Sequence, residues 1–466
     1  MRLAVLSMNG IHNDREGNIM IKKTVVTGIL LSIAITGWLM LTESPVMAVT
    51  IHVNSTEDVI ADDGKCTLRE AVIAANTNTG SGSVSGECPA GDPLNEDEIV
   101  LQVGVYSLTI GGTDEDNAQT GDLDILDDLT VTGTTADETI IDANGIDRVF
   151  EIMSDVKAKF KGIAITNGGV NEDSGGGISN KGTLKIAKCT VSDNTASANS
   201  SAYGGGIYND GTMKIASSTV SGNTVSSASD DAYGGGIYND GTLKITKSMV
   251  SDNTASGDTA YGGGICNDTN GTITITYGTV SDNTASGDYA WGGGISNWGT
   301  IKMTSSIVSY NTASGGQYAL GGGIFNDGII NITYGTVSDN TASGDYVWGG
   351  GILNSGTLKL NNSKVSDNMA SSVNAEAYGG GICNYVNGTI KIAYSKVSGN
   401  MASSVNTEAY GGGIYNDGTI KFKSKSKITG NAADDGGGLF NNGSLKNIGQ
   451  ARIKNNLPDN IVDLGP

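Results

Sequence analysis

Bulky and ring-bearing residues are scarce in this chain. Five Pro, five Phe, four Trp and two His stand against 70 Gly among 466 residues. The glycines follow no G-X-Y period and helix formers are few, which excludes both collagen and a helical bundle. Only His52 lies beyond residue 48, and no Arg occurs between Arg148 and Arg452. Over most of its length the chain therefore offers neither imidazole nor guanidinium to acid–base chemistry. No two of the five cysteines form a C-x-x-C pair, which leaves no zinc or redox motif.

One apolar run stands out, at 24–41. Lys22 and Lys23 precede it, and "SPVMA" follows it, with Val46 and Ala48 at the −3 and −1 places that a signal peptidase prefers. Residues 1–19 fit poorly as a signal n-region. The expectation is a start at Met20, cleavage after Ala48 and an exported mature chain with no membrane span; a retained anchor is the alternative.

Charge divides what remains. Residues 49–150 carry 21 acids against Lys65, Arg69 and Arg148, whereas residues 151–466 carry 25 acids against 21 bases. An acidic total of this kind argues against nucleic acid or anionic lipid as partner, since both need a basic face. The expected organisation is 1–48 leader, 49–150 acidic N-terminal module and cap, 151–445 repeat array and 446–466 C-terminal cap. Cys66 and Cys88 lie close enough to form a disulfide in the first module, stabilising it by ~3 kcal/mol; Cys189, Cys266 and Cys383 sit in separate repeats as free thiols.

Glycine is abundant because a unit recurs. "AYGGGIYNDGT" appears three times verbatim, and the aliphatic residue after the glycines falls at 178, 207, 237, 265, 295, 324, 352, 382, 414 and 439. Each copy, about 29 residues long, continues through an alternating segment such as Leu243-Lys244-Ile245 and a "V-S-x-N" segment, then a run of small polar residues. Three short strands separated by turn chemistry, closed by a polar loop, predict one coil of a right-handed parallel β-helix, an all-β solenoid. Alternation places Leu243 and Ile245 inside and Lys244 outside. Two asparagine columns are expected to form carboxamide ladders: one includes Asn209, Asn239, Asn267, Asn297 and Asn326, the other Asn223, Asn253, Asn283, Asn311 and Asn340. The "GGG" triplet predicts φ > 0, or a place where a Cβ would strike the next coil.

The stretches "CTLREAVIAANTN" (66–78), "TGDLDI" (120–125) and "DRVFEI" (147–152) resemble the CSLREA-type N-terminal region of exported bacterial β-helix proteins. The "GGGI" units are similar to the GGA(I/L) repeats of chlamydial polymorphic outer-membrane proteins, although Val stands where that family's second motif has Phe. The resemblance implies a secreted or surface-exposed, adhesin-like protein. Read from the residues alone, Thr67 and Glu70 form a capping box for an amphipathic helix that covers the first coil, and Arg69 and Glu70 have ordinary helix-surface roles. The tail, with Pro458, is expected to cover the other end.

Two features are candidate binding sites. Tyr208, Tyr238, Phe325 and Tyr415 follow the inward Ile and are expected to face outward, while Trp291 and Trp348 precede the glycines; such rings suit sugars or a protein partner, the alternative being that the latter column packs its loop on the shaft. Asp122, Asp124, Asp127 and Asp128 are candidate calcium ligands, with solvated surface charge as the alternative. The function expected is a non-enzymatic, exported protein that presents loops to a cell-surface or matrix protein or glycan. A polysaccharide lyase or glycoside hydrolase on a pectate-lyase-like β-helix is the rival.

Overall fold

The computed structural model describes residues 49–113 and 115–465, so Met20, the leader and the cleavage point after Ala48 lie outside the described residues. Strands stack in parallel into a β-solenoid whose four sheets hold 13 to 15 strands each. One coil shows the plan. Ile237–Asn239 belongs to an isoleucine sheet, Thr242–Thr246 to a lysine sheet, Met249–Ser251 to a valine sheet, and Thr254–Ser256 with Thr259–Tyr261 to an alanine sheet. Identical residues meet across coils: Ile237 pairs with Ile265 and Asn239 with Asn267.

Three strands and a polar loop were expected, and the fourth sheet corrects that expectation. The small polar run is strand in the coils from Thr195–Ala198 to Met401–Ser404 and only isolated bridges at Ala432 and Asp435 in the next, because Ala255 and Ala260, like their counterparts above and below, pack into a second, thin core in which both are fully buried. Methyl groups are small enough to let two layers of backbone approach. The main core lies between the other three sheets, where Ile237, Leu243, Ile245 and Val250 are each no more than 1 % exposed.

Both asparagine columns are hydrogen-bonded ladders set in the corners between sheets. In the first, each Nδ2 donates to the next Oδ1 at 2.6–2.8 Å, as from Asn239 to Asn267 and from Asn297 to Asn326. In the second the same bond is 2.8–2.9 Å, as from Asn223 to Asn253, Asn253 to Asn283 and Asn311 to Asn340, and each Oδ1 also accepts from a backbone N–H. Buried amides without these partners would each cost ~1–3 kcal/mol. The triplet glycines serve this corner. Gly234 has φ +70°, and a Cβ on Gly236 would lie 2.7 Å from the Gly264 carbonyl and 2.9 Å from the Asn253 amide.

The sheets begin well before residue 151. Strands from Thr50–His52 onward join the same sheets, and residues up to the C-terminus form one compact unit, so the acidic segment 49–150 builds the first coils of the shaft. The tail likewise adds a coil, Ser444–Lys446, Ala451–Lys454 and Ile461–Asp463, and is no separate lid. The first ladder ends there, with Asn441 Nδ2 donating to the Asp463 carboxylate at 2.7 Å.

Whole-coil register makes a sharp expectation. Deleting residues 237–264 joins Gly236 to Ile265 and removes one coil, so the shaft should fold and shorten by ~4.8 Å. Deleting 237–250 sets polar side chains against the isoleucine column, and that variant should aggregate. Circular dichroism and protease resistance separate the two; equal folding would refute the coil assignment.

Candidate functional site

The first coil needs its edge covered, and one helix does it. In α1 (Leu68–Thr77) the Thr67 side chain receives the Glu70 N–H, and the Glu70 carboxylate receives the Thr67 N–H and, at 2.9 Å, that of Ala61. Leu68, Ala71, Val72 and Ala75 are buried against the core, and Cys66 is bonded to Cys88 with Cα atoms 4.7 Å apart. The helix packs on Leu123–Ile125, the first strand of the isoleucine sheet. Asn76 then acts as a substitute strand: its Nδ2 donates to the Asp124 carbonyl at 2.7 Å and its Oδ1 accepts from the Leu126 N–H at 2.9 Å. An open edge is thereby closed by side chains.

Arg69 departs from the expected surface role. It is 0 % exposed, and all five N–H donors are used: two on Asp58, and the others on the carbonyls of Ala118, Gly121 and Asp122. Asp58 also accepts the N–H groups of Thr109 and Ile110. Only a planar guanidinium can hold so many acceptors at once.

The outward face of the isoleucine sheet runs as a single column from Asp124 through Glu151, Ser179, Tyr208 and Tyr238. Along the repeat coils this face is roofed. Tyr203 lies edge-on to Tyr238 at 5.1 Å and Trp291 packs on Phe325 at 4.8 Å, leaving Tyr238 and Phe325 only 6 % and 4 % exposed. Tyr208 and Tyr415 are half-buried; Trp348 and Tyr378 belong to the same roof. The rings expected to face solvent thus point away from the main core but bind the alanine-sheet flange to it.

Before Tyr203 no such roof exists, and the column opens into a cleft of about 830 Å³. Arg148 lies in it, its side chain 8 % exposed, bridging Asp122 at 3.3 Å, Glu151 at 3.1 Å and Asp173; Lys181 reaches Glu151 at 2.6 Å. Burial, opposed by Arg148, pushes the Asp122 carboxyl up to about 8. Burial likewise takes Asp124 to about 7, against the bond it accepts from the Ala118 N–H.

The four aspartates expected to hold calcium do not converge. Asp122 faces Arg148, Asp127 accepts from Asn78, and Asp128 pairs with Lys157 at 2.9 Å. The turn between Leu123–Ile125 and Leu129–Thr132 carries Asp127 and Asp128 away from the other two. Asp124 alone joins a carboxylate group, with Asp116 and Glu151, whose oxygens lie within 4.8 Å of one another. Both Glu151 oxygens there already face Lys181 and Arg148.

A further feature went unrecognised in the composition. The outward centre of the lysine sheet stacks Lys159, Lys185, Lys214, Lys244, Thr274, Lys302, Asn331, Lys359, Lys391, Lys421 and Lys446 in register. Nine of the 21 bases after residue 150 share this line. An acidic total therefore conceals a basic face; the repeated "K" between two inward aliphatics was the available signal. Comparison with known protein families, with curated proteins and with solved structures gave no match.

Two substitutions test the N-terminal end. Arg69→Met leaves Asp58 buried without its cation and should destabilise the chain by about 3–5 kcal/mol, seen as a lowered denaturant midpoint; an unchanged midpoint would refute the staple. Asp124 ionises near 3.8 when unfolded but near 7 when folded, so folding takes up a proton and stability falls as pH rises from 3.8 to about 7. Asp124→Asn should flatten that decline relative to wild type in melts across this window. Parallel curves would show that Asp124 is ionised in the fold.

Proposed function

We propose that the chain is an exported, non-enzymatic, adhesin-like shaft that binds a surface or matrix partner, protein or glycan. The observation that carries this is the columnar repetition of the outer surface. One outward residue recurs at each coil, ~4.8 Å apart, so a partner with its own repeat meets many equivalent contacts at once, and weak contacts add through multivalency. The leader at 20–48 and the resemblance of 66–78 to exported β-helix proteins support the location. No helix among the described residues is long and apolar enough to cross a membrane.

A second reading has its own support. The cleft that holds Asp122, Glu151 and Arg148 combines a carboxyl poised near neutrality, Asp122, with a second carboxylate and a buried guanidinium, the kind of arrangement that acid–base cleavage of a polysaccharide employs. One experiment decides between them. The secreted chain is screened against immobilised glycans and matrix proteins, and soluble glycans are assayed for depolymerisation. Saturable binding without chain cleavage is the expected result; cleavage abolished by Asp122→Asn would establish the enzyme instead.

A further inference from the structure

A ladder of like charges is an unusual thing to build. Lysines directly opposite one another on neighbouring strands repel, yet here the same position is filled with Lys in nine of the eleven strands from Lys157–Lys161 to Ser444–Lys446. Lys159 is paired with Glu96. The other eight form no ion pair with any described residue, and none of the eight is buried. No described residue neutralises them.

The surroundings narrow the choice of counter-charge. The strands around Lys244 place Thr242 and Thr246 outward on either side of the ladder, and Thr or Ala recurs at those places in most coils, so the face is flat and lined with hydroxyls. At the turn into the valine sheet stand Tyr277, Tyr334 and Tyr394, 57–63 % exposed, with Ser305 and Asn362 in the coils between. Exposed rings thus recur every second coil along one edge of the ladder, ~9–10 Å apart. A shallow groove of about 450 Å³ follows the same edge past Ser217, Lys247 and Met249 to Tyr277. In the last coils Lys364, Lys396, Lys427 and Arg452 form a parallel basic column on the valine sheet.

We infer that the lysine ladder and its tyrosine edge bind a linear acidic polysaccharide laid along the shaft, an inference that rests on the binding reading above and names its ligand. An extended chain with one carboxylate on each sugar presents charge at close to the coil spacing, and its rings return to the same side once per disaccharide, as the tyrosines do. Threonine hydroxyls then meet sugar hydroxyls between the charges. Other polyanions fit less well. Single-stranded nucleic acid needs aromatic platforms for successive bases, and duplex DNA carries its phosphates on a curved path that a straight column cannot follow. An anionic membrane would be met with apolar wedges beside the bases, and the outward positions of this sheet are Lys, Thr, Ala, Ser and Asn with Ile329 as the one exposed aliphatic.

The test uses the secreted full chain with polygalacturonate, a neutral glucan of matched length, and single- and double-stranded DNA as probes. Polygalacturonate should bind saturably, weaken steeply with salt, and exceed the glucan and both DNAs. The triple variant Lys214→Gln, Lys244→Gln, Lys302→Gln should lose roughly tenfold or more in affinity with a shallower salt dependence. Its melting temperature should hold or rise, since repulsion is relieved. Lys→Arg at the same places should keep binding, and a Lys65→Gln, Lys454→Gln control off the ladder and its tyrosine edge should lose far less. Tyr334→Ala should weaken binding while leaving the salt slope unchanged. Equal or tighter DNA binding, or indifference of polygalacturonate binding to the triple variant, overturns the inference. So does a screen in which only neutral glycans or proteins bind, an outcome that leaves the shaft a binding protein; loss of every ligand in that screen removes both readings.

Discussion

Every side chain in the repeat coils meets its own counterpart one coil away, and this self-stacking is the constraint on which the rest of the molecule depends. A residue can occupy an inward corner only if it is content to contact itself. Asparagine satisfies that condition uniquely well, because a carboxamide carries a donor and an acceptor at opposite edges and can pass a hydrogen bond indefinitely. Aspartate could only accept and lysine could only donate. The ladder from Asn180 can end on Asp463 because the last member has no further coil to serve.

The ends pose the opposite problem, since there self-stacking stops. At the N-terminal end the "TLREA" segment resolves it residue by residue. Thr67 and Glu70 close the helix start, Leu68 and Ala71 enter the core, and Arg69 gathers a carboxylate and three carbonyls that would otherwise lack partners. Asn76, about two turns beyond Arg69, supplies the strand-like bonds that no preceding coil can. The motif is therefore a device for starting a solenoid. Its cost is the crowding of carboxylates around Asp122 and Asp124, where burial outweighs the nearby guanidinium.

How much of this was legible depends on whether a feature repeats. Isoleucine and asparagine columns announce themselves, since ten copies at near-constant spacing exclude chance turn preference. The alanine sheet did not, because Ala and Gly are weak strand formers and a run of small residues reads as loop until its buried face is paired across a thin second layer. The lysine ladder was present in nine of eleven strands but vanished when charges were summed over the chain. Arg69 was beyond reach for another reason: Asp58 and the 118–122 carbonyls are brought to it by tertiary folding, and no period links them. Asp127 and Asp128 looked like partners of Asp124 through nearness in sequence, which a strand's alternation and the following turn undo.

The bonds that join coil to coil lie along the shaft, and so do both asparagine ladders. A pull on the two ends therefore loads each layer in turn, as pages are peeled from a pad, and does not shear all of them together. Released coils would each contribute a contour of roughly 29 residues at ~3.3 Å, about twenty times the thickness of the layer it leaves. Held between a cell and an immobile surface, such a shaft yields in equal increments and dissipates work at each one. It would act as a tether of graded length, and the number of coils would set how far it can give.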